Sequence, residues 1–296
     1  MSKAEYLPPT RQLGEVAACV GLVSDTHYPL RCEALPPALF SILADVDLLL
    51  HAGDVGDLDI LDQLSAIAPV IAVHGNDESD VAQQILPYQQ VISIQGQRIL
   101  LWHSHFPNRQ EELASRADDA MVPKFQRTID RALAAGATIA VFGHWHIPLI
   151  YEQSNVTVIN PGALASGNFF TRQLRPSVAL LYLFNDGTHQ VIHIDPTQPA
   201  TPFIPACQWP AGFKATLAHY SEEILSPALE ATLQRIRPTL SNELRQALIL
   251  IILPLAQRCW RGEQDVITHA ALAEHMATDQ TLTPQLQKEI RMLLFL

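Results

Sequence analysis

Cysteine is scarce in this 296-residue chain and never clustered: Cys19, Cys32, Cys207 and Cys259 form no CxxC pair. That scatter excludes a dense disulfide framework and a cysteine-built zinc site, and reads as reduced cytosolic thiols. Long hydrophobic runs are missing too. The most apolar stretch, Ala247 to Ala256, covers ten residues and contains Pro254, too short for a membrane span. The opening MSKAEYLPPTRQLGEV lacks the apolar core of a signal peptide. A cytoplasmic location without membrane association is expected. Basic charge is short as well: 19 Lys and Arg stand against 30 Asp and Glu, a formal charge of −11, and no run of five basic residues occurs. The acidity sits in residues 1–195, with 11 basic against 21 acidic residues, whereas residues 196–296 hold 8 against 9. Such a surface repels a phosphate backbone and makes duplex nucleic acid a poor partner, although bound divalent cations would reverse the sign locally.

What the chain has is core-forming material: 48% of its residues are apolar and 17% charged, the texture of a folded protein with little disorder. Its length suits one large catalytic domain and an appendage. From about residue 17 to 152 short apolar runs (AACVGLVS, LLLH, VIAVHG, TIAVFG) alternate with helical patterns, the order of an α/β fold. VISIQ and RILLWH around Gly96 read as a hairpin, as does the run through Asn185-Asp186-Gly187. A catalytic domain over 17–195 is therefore expected. A proline-rich linker or strap over 196–216 follows, then a mainly helical C-terminal region over 217–296. There Leu217, Tyr220, Ile224, Leu229, Leu233 and Ile236 recur at helical spacing, and Ser226-Pro227 and Thr283-Pro284 read as an N-cap followed by proline in the first turn. These helices could receive a protein partner or a second copy of the chain.

Five polar clusters stand directly after apolar runs: Asp25-Thr26-His27, Gly53-Asp54, Gly75-Asn76, His103, and Gly143-His144-Trp145-His146. The carboxyl ends of strands in an α/β sheet form one ligand-binding edge, so these clusters can converge although distant in sequence. Asp25/His27 and His144/His146 are two apart, which in an extended segment puts both side chains on one side. Two carboxylates, one amide oxygen and four imidazoles suit a borderline divalent ion (manganese foremost, with iron, nickel, cobalt or zinc as alternatives) better than calcium or a thiolate zinc site. Seven ligands are too many for one tetrahedral ion and divide between two when a carboxylate bridges them, with Asp54 as the bridge.

The ordered series DTH, GD, GND, a later histidine, GHWH and NPG resembles the calcineurin-like metallophosphoesterases over roughly residues 18–195, in the style of their small bacterial and archaeal phosphodiesterases. The resemblance implies a two-layer β-sandwich flanked by helices. It also implies one metal held by Asp25, His27 and His146 and a second by Asn76, His103 and His144, with Asp54 shared. Two positions depart from the family pattern: Asp77 stands where relatives often carry histidine or cysteine, and Ala163 where NPGS would place serine.

Around this set, His51 and His74 could orient Asp54 and Asn76 or simply cap their strands. His105 could face the phosphate. Asp57 reads as a helix N-cap, Arg172 or Arg175 could grip a phosphate, and Asn160-Pro161-Gly162 could wall the site. The expected activity is hydrolysis of a phosphate ester, a diester by preference, in a small substrate, by a metal-bridging hydroxide. Asp54, Asn76, His103 and His105 form the catalytic group. A nuclease of the same superfamily is the nearest alternative, and a metal-binding protein-interaction scaffold is the alternative of another class.

Overall fold

Strand β1 (Val16–Val23) shows how the sequence builds the layers. Side chains alternate across a strand, so Ala18, Val20 and Leu22 turn to one side and join Leu50, Ala52, Ile99, Leu101, Val141 and Leu181 in a core between two sheets. Cys19 and Val23 turn the other way, into a second core that includes Leu39 and Ile42 of the helix Pro37–Ile42. Each fully buried aliphatic side chain contributes about 1.5–3 kcal/mol, so slipping this strand by one residue would forfeit both cores.

The computed structural model describes residues 3–206, 209–279 and 281–295; Cys207 lies outside them. The strands that follow β1 are β2 (Leu48–His51), β3 (Val70–Ala72), β4 (Gln89–Ile94), β5 (Gln97–Trp102), β6 (Ile139–Phe142), β7 (Leu149–Gln153) and β8 (Val156–Asn160). After them come the short β9 (Thr171–Gln173), then β10 (Val178–Phe184) and β11 (His189–Ile194). Apart from β9, which belongs to neither, they form two five-stranded sheets among the described residues, in the orders β11-β10-β1-β2-β3 and β4-β5-β6-β8-β7. β1, β2 and β3 run parallel, as do β5 and β6. The outer face of the second sheet, with Leu100, Trp102, Ala140 and Phe142, packs against Met121, Phe125 and Ile129 of the helix Met121–Ala134. This is the expected two-layer sandwich flanked by helices, and both expected hairpins are present, β4–β5 and β10–β11.

Contacts divide the chain into one unit of Met1–Ala165 with Gln173–Tyr220 and another of Ser166–Arg172 with Ser221–Leu296. The proline-rich segment lies with the first unit: Phe203 N donates to His193 O at 3.0 Å, the Phe213 ring meets Trp145 edge-on at 5.6 Å, and Tyr220 Oη accepts from Ala206 N at 2.7 Å.

The second unit packs the helices Pro227–Ile236, Asn242–Trp260, His269–Thr278 and Pro284–Phe295 around Ile224, Leu229, Ile251, Leu255, Leu272 and Ile290. Ser226 caps its helix by accepting from Leu229 N, with Pro227 in the first turn, and Thr283 Oγ1 accepts from Leu286 N at 3.4 Å. The apolar stripe from Leu217 to Ile236 is not one helix. Ser221–Glu223 is extended, and the Ile224 backbone bonds to Phe170 O and from Ile267 N; the proline at 227 disfavours helix in the residue before it. No helix among the described residues is long and apolar enough to cross a membrane.

Candidate metal centre

The carboxyl ends of β1, β2, β3, β5 and β6 each turn into one of the polar clusters read from the sequence. Asp25, His27 and His146 bring ligand atoms within 4.8 Å of one another, as do Asp54, His103 and His144, and as do His27, Asp54 and Asp77. The trios interlock: Asp54 Oδ2 lies 3.3 Å from His103 Nε2 and 3.6 Å from His27 Nε2, and His146 Nε2 lies 3.2 Å from Asp25 Oδ1. Asn76 is exposed, between Gly75 and Asp77, both of which lie against the Asp54 carboxylate.

The loops reach this arrangement through backbone that most residues avoid. Asp25, His27, Asp54, His144 and His146 all have positive φ, between 46° and 72°. The segments are therefore not extended, as the i, i+2 spacing suggested; alternate residues turn through the left-handed region instead. Such strain persists where the surroundings over-determine it, and it concentrates at functional sites. Two glycines are required by close approach. A Cβ at Gly75 would stand 2.0 Å from Asp54 Oδ1, and one at Gly143 2.0 Å from Ser24 Oγ and 2.7 Å from Ala52 O. These contacts explain the glycine before Asn76 and the glycine before His144.

Each imidazole has one nitrogen engaged away from the cluster and the other turned into it. His103 Nδ1 donates to Ala52 O at 2.7 Å, and His146 Nδ1 to Ala165 O at 2.9 Å. His144 Nε2 donates to Glu112 Oε1 at 2.8 Å, which leaves Nδ1 its lone pair. His27 Nδ1 is engaged by Arg31 Nη2 at 2.6 Å and lies 3.5 Å from Asp77 Oδ2. His103 Nε2 is fully buried and makes no hydrogen bond. An orphan nitrogen aimed at two buried carboxylates, in a set where the outward nitrogens of His103, His144 and His146 donate and leave the inward ones a lone pair, is what a divalent cation requires of its ligands. His27, whose Nδ1 accepts from Arg31, must exchange its inward proton for an ion.

The electrostatics agree. Burial disfavours charge on His103, yet Asp54 and Asp25 outweigh it and push its pKa up to about 10. Burial also opposes ionisation of Asp54, but His103 and His27 hold its carboxyl well below the usual range. The pocket attracts positive charge.

Several further residues pack around this set. His51 lies 3.1 Å from Thr26 Oγ1 and accepts from Gly53 N at 3.3 Å, which secures the turns carrying Asp25 and Asp54. His74 Nδ1 donates to Gly75 O at 2.9 Å. His105 is buried, its ring 5.5 Å from that of His103, and its Nδ1 finds no hydrogen-bond partner. Asp57 Oδ1 accepts from Asp59 N at the start of the helix Asp59–Ser65. Asn160 is fully buried, donating to Gly143 O at 2.9 Å and accepting from Gly162 N at 2.8 Å, so the NPG turn braces the loop of His144. Arg172 and Arg175 have carboxylate partners of their own, Glu222 and Asp195.

Sequence reasoning missed two carboxylates. Glu112, on the helix Arg109–Ala117, was one acidic residue among many in a polar stretch. Glu78 accepts from Val55 N and Gly75 N, each at 2.9 Å, and so clasps the loops of Asp54 and Asn76. Its only signal was its place two residues after the asparagine.

Two facing sheets with Asp and His clusters at their strand ends define a metallophosphoesterase. Residues 19–186 match the calcineurin-like phosphoesterase superfamily domain; the chain belongs to that superfamily and is a metal-dependent phosphoesterase. A probable metallophosphoesterase of Methanothermobacter thermautotrophicus is 34% identical over 144 residues, 49% of this chain and 76% of the relative. Another, from Methanocaldococcus jannaschii, is 32% identical over 146 residues, 49% of this chain and 67% of that one. Among solved structures, a conserved Streptococcus pneumoniae protein described as a predicted phosphoesterase aligns with a TM-score of 0.45 and 18% identity, over 64% of this chain and 95% of its own.

Proposed function

We propose that the chain hydrolyses small phosphodiesters at a centre for two divalent ions. Asp25, His27 and His146 would hold one ion, Asn76, His103 and His144 the other, with Asp54 available to both. The observation that carries the reading is the pair of interlocked trios, in which Asp54 Oδ2 stands within 3.6 Å of a nitrogen of each. Manganese fits a donor set of carboxylates, an amide and imidazoles, as do iron, nickel, cobalt and zinc. When bound, such ions supply Lewis acidity to the phosphoryl oxygens and lower the pKa of water enough to give a hydroxide nucleophile near neutral pH.

The protein's own part is positioning. Buried Asp25, Asp54 and His103 keep their geometry through fixed hydrogen bonds, and His105, beside His103, offers an imidazole to the phosphoryl or departing oxygen. Asp77 favours a diester over a monoester. Its carboxylate approaches His27 within 3.5 Å and is paired with Arg31, so the arginine beside the site is neutralised and gives the second negative charge of a monoester no added counter-charge.

The test uses metal-stripped protein given manganese and assayed on bis(p-nitrophenyl) phosphate, p-nitrophenyl phosphate and plasmid DNA. The expected order is diester first, monoester well behind, and little or no DNA cleavage. A preference for the monoester would overturn the diester reading, and full manganese-dependent activity in Asp54→Asn would overturn the shared ligand.

A further inference from the structure

Beside the His27 trio lies a cavity of about 450 Å³ that the metal chemistry does not use. Small-molecule sites typically occupy about 300–1,000 Å³. Its walls come from three segments: the turn after β1 with Tyr28 and Leu30, the loop after β2 with Asp57 and Leu58, and the first turn of the helix Asp80–Ile85 with Val81. The first two are tied together, since Tyr28 N donates to Val55 O at 3.1 Å and Asp57 N to Tyr28 O at 2.7 Å. His27 and Asp77 belong to both the cavity and the cluster. A group bound here therefore sits next to a phosphoryl group at the metals.

The lining states what kind of group this is. Leu30 and Val81 are 44% and 61% exposed, aliphatic surface that no core of the protein covers. Tyr28 and Leu58 are half-buried beside them. The charged groups on the walls are two carboxylates, Asp57 and Asp77, and one arginine, Arg31, which is buried and paired with Asp77; His27, Tyr28 and Ser79 are the other polar side chains. Carboxylates accept hydrogen bonds from hydroxyls and repel phosphates. A second phosphate, as in a nucleic acid chain or a nucleoside polyphosphate, meets a wall whose arginine is already paired with Asp77 and whose net charge is negative.

We propose that this cavity receives one of the two esterifying groups of the substrate, a neutral, hydroxyl-bearing group of nucleoside size with an apolar face. The proposal rests on the phosphodiesterase reading above and narrows its substrate class.

Two chromogenic diesters with the same leaving group test it: the p-nitrophenyl ester of thymidine 5′-monophosphate and methyl p-nitrophenyl phosphate. The manganese-loaded protein is assayed as wild type, Leu30→Ser and Val81→Ser, and thymidine alone is titrated calorimetrically into each. Both side chains are exposed, so folding is retained and a thermal melt verifies it. The wild type is expected to favour the thymidine ester at least about tenfold in kcat/KM. Each variant should raise KM for that ester and weaken thymidine binding about fivefold or more, with the methyl ester unaffected. Adding a 3′-phosphate to the thymidine ester should raise KM. Equal treatment of the two esters with thymidine binding unchanged in both variants overturns the pocket and leaves hydrolysis standing. Thymidine binding that weakens in the variants, with no ester hydrolysed by any protein, upholds the pocket and overturns the phosphodiesterase reading.

Discussion

Glu112 accepts the Nε2 proton of His144 at 2.8 Å with one carboxylate oxygen, while its other oxygen takes the Phe106 N–H at 2.9 Å. The carboxylate is anchored to backbone on one side and dictates the histidine's tautomer on the other. Truncating it frees the ring to rotate and lets the proton move to Nδ1. Glu112→Ala should lower manganese affinity by about ten- to a hundredfold, whereas Glu112→Gln, whose amide oxygen still accepts, should lose less. Titration calorimetry on metal-stripped protein checks both, and wild-type affinity in the alanine variant would refute this orienting role.

Gly143→Ala should damage the same loop by crowding. The added methyl would meet the carbonyl of Ala52 at 2.7 Å and Asp25 Oδ2 at 2.8 Å. One of these neighbours is backbone that cannot swing aside, so the loop of His144 must shift, at a cost of about 1–3 kcal/mol. Manganese affinity should fall at least about a hundredfold with far-ultraviolet circular dichroism preserved. An unchanged affinity would mean that the loop tolerates displacement.

Much of this centre could be read in the sequence because its chemistry obeys local rules. Apolar runs of four to eight residues mark strands, and a polar cluster immediately after one marks a ligand edge, so Asp25, His27, Asp54, His103, His144 and His146 could be named before their geometry was known. What supports them could not. Glu112 lies on a helix far from His144 in sequence, and its role depends on tertiary placement that no periodicity encodes. The left-handed φ values of the ligand residues were equally hidden, because aspartate and histidine carry no glycine-like signal for that region. The break at Ser221–Glu223 was missed because apolar spacing across it still fitted a helix.

Metal removal should be felt as stability. Ligand that binds only the folded state adds about 2.7 kcal/mol at a hundredfold excess over Kd, which for a unit of this size moves Tm by roughly 5–10 °C. Chelation should lower Tm by that amount and manganese should restore it. Asp54→Asn should melt at the same temperature with and without manganese; a persisting manganese response would show that ions bind elsewhere.

His193 supplies a pH dependence independent of the metal ligands. It is buried, donates from Nε2 to Asn160 O at 2.8 Å, and its Nδ1 has no hydrogen-bond partner. Burial pushes its pKa down to about 4, with the bond to Asn160 opposing weakly. In the unfolded chain a histidine titrates near pH 6.5, so between about pH 4 and 6.5 the unfolded state binds the extra proton. The contribution of His193 is therefore complete above pH 6.5 and is lost as the pH falls towards 4, by about 3 kcal/mol in all. His193→Gln keeps a donor for Asn160 but cannot take up a proton. Urea unfolding of metal-free wild type and variant from pH 4 to 7 should differ in slope by about one proton, roughly 1.4 kcal/mol per pH unit, the variant being the flatter. Parallel curves would mean that His193 is already protonated in the folded protein, with a partner for Nδ1.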